Sequence, residues 1–320
     1  MHNSSLPHPL NLGAFAFREA TDAGISRRRL RQPDVAHVHR GLYAPAGAVA
    51  DLREDCINTL SLLGEDRCFS HLTAARLWGI PVPFAWAASE PLHVLAVRGA
   101  EPLRRPRIVG WESAAHPGEM SQGMIPLVSP AATWAQLSIP GATGTDLETG
   151  RKRALPLRWL VAAGDYVLTG PRVSGIRVPL CTRDELVEAV DARHGRRGAR
   201  ALAWALERVR TGPQSPRESL LRLALVDHGL PEPVIQPPVQ TADGIRHSDL
   251  GYPEARLLIE YQGDHHRTDA RQWREDLHRQ QLFEDAGYRV IAVTIDAFTD
   301  DCAALAHRIR RALVGRFSTG

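Results

Sequence analysis

The stretch His247 to His266, reading HSDLGYPEARLLIEYQGDHH, constrains this chain more than any other. Two short apolar runs flank the turn signal Tyr252-Pro253-Glu254. Side chains of a strand alternate between faces, so the second run puts Leu258, Glu260 and Gln262 on one face. Leu257, Ile259 and Tyr261 take the other. In the first run His247, Asp249 and Gly251 share a face. Strands joined by a tight turn pair antiparallel at about 4.8 Å, which can bring Asp249 beside Glu260. Two carboxylates forced together repel, and one pKa should rise. A divalent cation relieves that repulsion, because Mg²⁺ takes a few carboxylate oxygens plus waters. A solvated edge hairpin would account for any one of these acids. Three polar side chains in register, followed at once by Gly263 and His265-His266, point to a metal site.

The flanking sequence supplies a fold for this hairpin. Thr211-Gly212-Pro213-Gln214 marks a boundary, and Ser215-Pro216-Arg217-Glu218 opens a helix with a Ser cap, Pro at its first position and Glu at its third. That helix runs to about His228 and stops at Gly229. Glu218 can serve the cap, face the metal, or do both. Val234 to Gln240 reads as a strand, then an Ala242-Asp243-Gly244 turn, then the two strands above. Thr268 or Asp269 caps a helix to Ala286. Tyr288 to Thr294 is a buried strand, and a last helix covers roughly Phe298 to Val314. The order is α-β-β-β-α-β-α, an α/β (α+β) arrangement over residues 213–320.

Residues 8–50 read as a winged helix-turn-helix. Phe15 to Ala23 has helical spacing, Gly24 breaks it, and Ser26 caps a second helix from Arg27 to Gln32 that Pro33 ends. Val35 to Tyr43 alternates like a wing. Arg27, Arg28 and Arg29 would meet phosphates or guanine edges. An Arg-rich solvated helix on a protein-interaction domain is the other use of this pattern. Residues 51–212 read as a mixed α/β segment. Helices are expected at 71–77, after Ser129-Pro130, at 157–168, from Arg183 under a Thr182/Glu185 capping box, and at 199–209. Strands are expected at 92–97 and 107–112, and a loop at 138–155. His71, His93, His116 and Asp165 have no metal-ligand spacing and are expected to be structural.

Composition narrows the setting. Hydrophobic residues make up 43% and charged residues 23%, as in ordinary globular domains. No apolar run reaches the ~18 residues a membrane helix needs. The N-terminal MHNSSLPHPLNLG lacks a basic-then-apolar leader pattern, so the cytoplasm is the expected compartment. Cys56, Cys68, Cys181 and Cys302 match no zinc spacing and should be reduced and buried. Net charge is +3, but Lys152 is the sole lysine. Local Arg clusters therefore carry the cationic surface, and no lysine lies near the acidic hairpin.

Two resemblances follow. Asp249 with Glu260-Tyr261-Gln262 on successive strands resembles the PD-(D/E)XK nuclease superfamily. EYQGDHH, then a helix with Arg274, Asp276 and Arg279, then AGYRVIAVT, resembles its very-short-patch-repair-like endonucleases, over about 215–315. Upstream, AGISRRRLRQPDVAHVHRGLYAP, SHLTAARLWGIP and PLVSPAATWAQL resemble AbiEi-type antitoxins and regulators, which begin with a winged helix. The first resemblance implies hydrolysis of DNA phosphodiesters with Mg²⁺ or Mn²⁺. It implies Asp249, Glu260 and the Tyr261 carbonyl as metal ligands, and Glu218 as the first-helix acid. His266 matches its Gly-x-x-His and would protonate the leaving oxygen or orient water. Gln262 stands where many relatives have Lys or Asp. Arg267, Arg271 and Arg274 would hold the DNA backbone. The second resemblance implies a DNA-binding or protein-binding front. If the nuclease-like part serves only for binding, the chain is a regulator or antitoxin rather than an enzyme.

Overall fold

Proline and glycine cut this chain into many short elements. The structure, a computed structural model, describes residues 6–8, 10–11, 15–39, 42–45, 51–113, 119–146, 148–262, 270–299 and 302–317. Its class is mixed α/β. Two units divide it: residues 1–155 with 195–198, and residues 156–194 with 199–320.

The first unit opens with β1 (Phe15–Ala16), α1 (Phe17–Asp22), a 3-10 turn (Arg29–Arg31), β2 (Val35–His39) and β3 (Leu42–Pro45). Strand β3 lies between β1 and β2, antiparallel to both. Leu10, Phe15, Ala20, Leu30 and Val35 form the small core beneath. The helix expected from Arg27 to Gln32 is only that 3-10 turn. The residue at the cap position is Arg28, which makes no side-chain cap, and Ser26 Oγ, two residues earlier, accepts from the Arg29 N–H at 3.2 Å. Pro33 then closes the segment too soon for an α-helix to recover its nucleation cost.

The remainder of this unit comprises α2 (Leu52–Leu63), β4 (Arg67–Phe69), α3 (His71–Leu77), β5 (Leu92–Ala96), β6 (Ile108–Glu112), β7 (Glu119–Gln122), β8 (Ile125–Val128) and α4 (Pro130–Gln136). The sheet runs β6-β5-β4-β8-β7, with β5–β6 and β4–β8 parallel. Phe69, Val94 and Leu127 lie at its centre. His71 stacks on Trp111 at 3.9 Å between ring centres, and Trp111 Nε1 donates to His93 Nδ1 at 3.0 Å. Burial pulls His93 down to about 4, so it is a neutral core group. His116 lies outside the described residues.

The second unit begins with α5 (Leu157–Thr169), the ribbon β9 (Arg172–Val173) and β10 (Ile176–Arg177), α6 (Arg183–Asp191) and α7 (Ala199–Arg208). Then come α8 (Pro216–Asp227), β11 (Val234–Ile235), β12 (Pro238–Thr241), β13 (Gly244–His247), β14 (Leu250–Tyr252), β15 (Leu257–Tyr261), α9 (Ala270–Asp285), β16 (Arg289–Val293), α10 (Ile295–Thr299) and α11 (Cys302–Phe317). The boundary expected at 212/213 runs through this unit. A buried ion pair joins across it, Arg222 of α8 lying 3.0 Å from Asp165 of α5. The main sheet is β11-β14-β15-β16, and α9 makes the crossover that lets β15 and β16 run parallel. Leu257 and Ile259 pack with Leu221, Leu225 and Ile309, whereas Leu258 packs with Val239 and Phe283. Alternation along β15 thus feeds two separate cores. The strand expected from Val234 to Gln240 is broken in two. Gln236 adopts a φ of 49°, and Pro237 has no N–H to offer a ladder. Among the described residues, no helix is long and apolar enough to cross a membrane.

Candidate functional site

The register of β14 on β15 pairs Leu250 with Ile259 and Gly251 with Leu258. One step further, Asp249 faces Glu260. The Asp249 N–H donates to Glu260 Oε1 at 3.2 Å, and Asp249 Oδ2 accepts from the Tyr261 N–H at 2.8 Å. The sequence pattern therefore places both acids side by side through strand pairing alone.

Glu218 joins them from the first turn of α8. Ser215 Oγ accepts from the Glu218 N–H at 3.3 Å, which is half of a capping box. The return half is diverted. Glu218 Oε2 accepts from the Gln214 N–H at 2.9 Å and from Gln236 Nε2 at 3.0 Å. Gln236 also donates its own N–H to the Asp249 carbonyl at 3.0 Å. Gln236 thus ties the helix acid to the strand acid, and its left-handed backbone is held by these bonds. Its only sequence signal is the Pro237-Pro238 that follows.

Burial, then the negative charges of Glu260 and Glu218, push the Asp249 carboxyl up to about 8. The Tyr261 N–H and Arg279 oppose that shift. Burial also raises Glu218, against its hydrogen bonds to Gln214, Ser215 and Gln236. Arg279 of α9 is the cation beside the pair. Its Nη2 lies 3.3 Å from Glu260 Oε2 and also donates to the His247 carbonyl. Its guanidinium sits over the Phe283 ring at 5.6 Å. In the sequence Arg279 stands only in a helix pattern, with no signal of this role. Glu260, Tyr261, Gln262, Asp276, Arg279 and Gln280 line a cleft. Gln262 is exposed there and anchored by its N–H on the Val293 carbonyl at 2.8 Å.

The expected site residues thus fall into groups. Asp249, Glu260, Tyr261 and Gln262 belong to one end of one sheet, and Glu218 reaches it from α8 through Gln236. Arg271 and Arg274 lie in the first turns of α9. His266 and Arg267 lie outside the described residues. Arg27, Arg28 and Arg29 belong to the other unit. Arg29 is turned back on Asp34 through two hydrogen bonds of 2.8 and 2.6 Å, and Arg27 sits over the Phe17 ring at 5.1 Å.

Among the described residues, no three of His, Cys, Asp and Glu lie close enough together to hold a metal ion. Asp249 and Glu260 are the residues that could hold a cation with two carboxylates and waters, the usual way Mg²⁺ is bound, and Glu260 Oε2 would have to leave Arg279 to do so. The raised Asp249 carboxyl reflects the burial and repulsion that such a cation would offset.

No family model matches this chain. It is similar to two uncharacterized proteins of Mycobacterium tuberculosis, from strains CDC 1551 / Oshkosh and ATCC 25618 / H37Rv. Each is 30% identical over 141 residues, which is 44% of this chain and 52% of the relative. The chain spans about half the length of these curated relatives.

Proposed function

We propose that the second unit is a metal-dependent DNA endonuclease of the PD-(D/E)XK type, related to the very-short-patch-repair-like enzymes, acting in the cytoplasm in defence or repair. The observation that carries this reading is Asp249 facing Glu260, with Glu218 bound to the same strand through Gln236. Asp249, Glu260 and the Tyr261 carbonyl would hold Mg²⁺ or Mn²⁺. A cation bound there neutralises phosphodiester oxygens and acidifies a coordinated water. Gln262 offers one acceptor and two donors to orient that water, but no charge. Arg279 supplies the positive charge that a lysine at 262 would bring. Arg267, Arg271 and Arg274 would hold the backbone, and His266 would protonate the leaving oxygen.

The test is cleavage of supercoiled, nicked, mismatched and single-stranded DNA by the full chain with Mg²⁺, Mn²⁺ or chelator. Asp249→Ala and Glu260→Ala should each abolish cutting and leave DNA binding nearly intact. Wild-type cutting by either variant would overturn the assignment of the metal ligands. A second reading makes the chain a non-enzymatic regulator or antitoxin, with the front unit contacting DNA or a protein partner as in AbiEi-type proteins. Gln262 in a lysine's usual place favours it. On that reading the wild type binds DNA and cuts none with either metal.

A further inference from the structure

The C-terminal end of α7 and one side of α8 border another cavity of this unit, of about 260 Å³, which shares no residue with the cleft at Glu260. Arg222 lines it, with a side chain only 2% exposed. A guanidinium taken out of water needs its charge balanced and its donors met. Asp165 balances the charge: its Oδ2 accepts from Arg222 Nη2 at 3.0 Å, and the same nitrogen donates to the Arg208 carbonyl at 2.9 Å. Arg222 Nη1 donates to Glu232 Oε1 at 2.7 Å, while its buried Nε has no hydrogen-bond partner among the described residues. The other oxygen of Glu232 accepts from Arg210 Nη2 at 3.0 Å. One carboxylate thus bridges two guanidinium groups, one buried and one at the rim. Guanidinium forks hold bound carboxylates by contacts of this kind.

Glu232 is the replaceable member of this cluster. Its side chain and that of Arg210 are each 38% exposed. Asp165 already opposes the charge of Arg222, so the buried position does not depend on Glu232 for neutrality. The backbone around Glu232 is held on both sides. Pro231 and Pro233 flank it, Tyr252 Oη donates to the Pro231 carbonyl at 2.9 Å, and Val234 is paired with Gly251 in the sheet. Its side chain can therefore turn out to water while the chain stays in place. Leu223 and Val226 of α8 give the cavity an apolar wall.

We propose that this cavity binds a small monocarboxylate, whose carboxylate replaces Glu232 on Arg210 and Arg222 while its apolar body lies against Leu223 and Val226. Charge selects the class. The lining holds three arginines (Arg208, Arg210, Arg222) and three acids (Glu207, Asp227, Glu232), and Asp165 pairs with Arg222 as a further acid. A monoanion exchanged for Glu232 leaves that balance unchanged. A dianion such as phosphate adds negative charge where acids are already in excess. A neutral ligand leaves the guanidinium groups short of an acceptor. The volume lies just below the ~300–1,000 Å³ of pockets for drug-sized ligands, which suits a molecule of a few carbons. The proposal does not depend on the nuclease reading, and its test measures binding alone.

The experiment titrates isovalerate into the full chain in metal-free buffer and follows saturation transfer to its methyl groups by NMR, with inorganic phosphate as competitor. Glu232→Gln removes the competing charge and keeps a polar side chain, and should bind isovalerate about tenfold more tightly than the wild type. Arg210→Gln should bind it about tenfold more weakly, the size of one lost hydrogen bond to a charged group. Asp165 still pairs with Arg222 in both variants, and their melting curves check that they are folded. Val226, 38% exposed on α8, offers a change at the surface: Val226→Asp should lose the isovalerate signal. Phosphate at equal concentration should not displace isovalerate. Equal affinity in the wild type and Glu232→Gln, or no binding by either, would overturn the site. Should Glu232→Gln fail to fold, equal binding by the wild type and Val226→Asp would overturn it instead. Displacement by phosphate would overturn the monocarboxylate class.

Discussion

Asp249 makes the folded protein bind a proton that the unfolded chain releases. Its carboxyl titrates near 8 in the fold against 3.8 in the open chain. Its contribution is therefore most favourable below about pH 4, declines as pH rises toward 8, and is level above that. Glu218, raised as well, adds in the same direction. Asp249→Asn keeps an acceptor for the Tyr261 N–H and removes the forced charge. The metal-free variant should melt above the wild type at pH 8, by on the order of 2–4 °C, and the gap should close at pH 4. Scanning calorimetry at both pH values checks this; a lower melting point for the variant at pH 8 would show that Asp249 is not a strained charge. On the proposed function, Gln262→Ala should slow single-turnover cleavage about a hundredfold, the size of one lost transition-state hydrogen bond. Gln262→Lys should be tolerated. If Gln262→Ala cuts as fast as the parent, Gln262 is only a residue at a strand end.

At the scale of elements, what could be read was local. The Thr182/Glu185 capping box is present in full, with the Glu185 N–H on Thr182 Oγ1 at 3.2 Å and the Thr182 N–H on Glu185 Oε2 at 2.7 Å. Ser129 caps α4, and α5, α7 and α8 begin where their signals lie. The acids of the site were legible because a turn and a period of two fix which residues oppose. Gln236 and Arg279 were not, because their roles come from where α8 and α9 pack. Strand β4 is three residues long and buried at its centre, too short to show any period. Helix α2, capped by Asp51, went unread, although Asp51 Oδ1 accepts from the Glu54 N–H at 2.8 Å. Asp165, read simply as structural, proves to be half of an ion pair with both side chains almost wholly buried. Removing one partner strands the other charge, at a cost of roughly 3–5 kcal/mol. Asp165→Ala should therefore lower stability to chemical denaturation by about that much. An effect below 1 kcal/mol would mean that Glu232, 2.7 Å from Arg222, satisfies the guanidinium alone.

Across the whole molecule, the proposed function expects cationic contacts with DNA from both units, and they should differ in kind. In the front unit the sequence predicts a helix opening with three arginines. The observed 3-10 turn uses one of them internally, since the Arg29 guanidinium grips Asp34 and holds that carboxyl below its usual range. Arg27 and Arg28 remain exposed. Each phosphate neutralised adds about 0.9 to the slope of log affinity against log salt. Arg27→Ala/Arg28→Ala should therefore flatten the slope on a duplex by nearly two. Adding Arg29→Ala should flatten it no further, and should instead loosen the turn and lower the melting temperature. Cleavage at low salt should survive all three changes, because the acids that carry it belong to the other unit. Fluorescence anisotropy on one duplex between 50 and 300 mM salt separates the cases. A slope that falls by three would mean that Arg29 leaves Asp34 for DNA. An unchanged slope would assign this arginine turn to a protein partner.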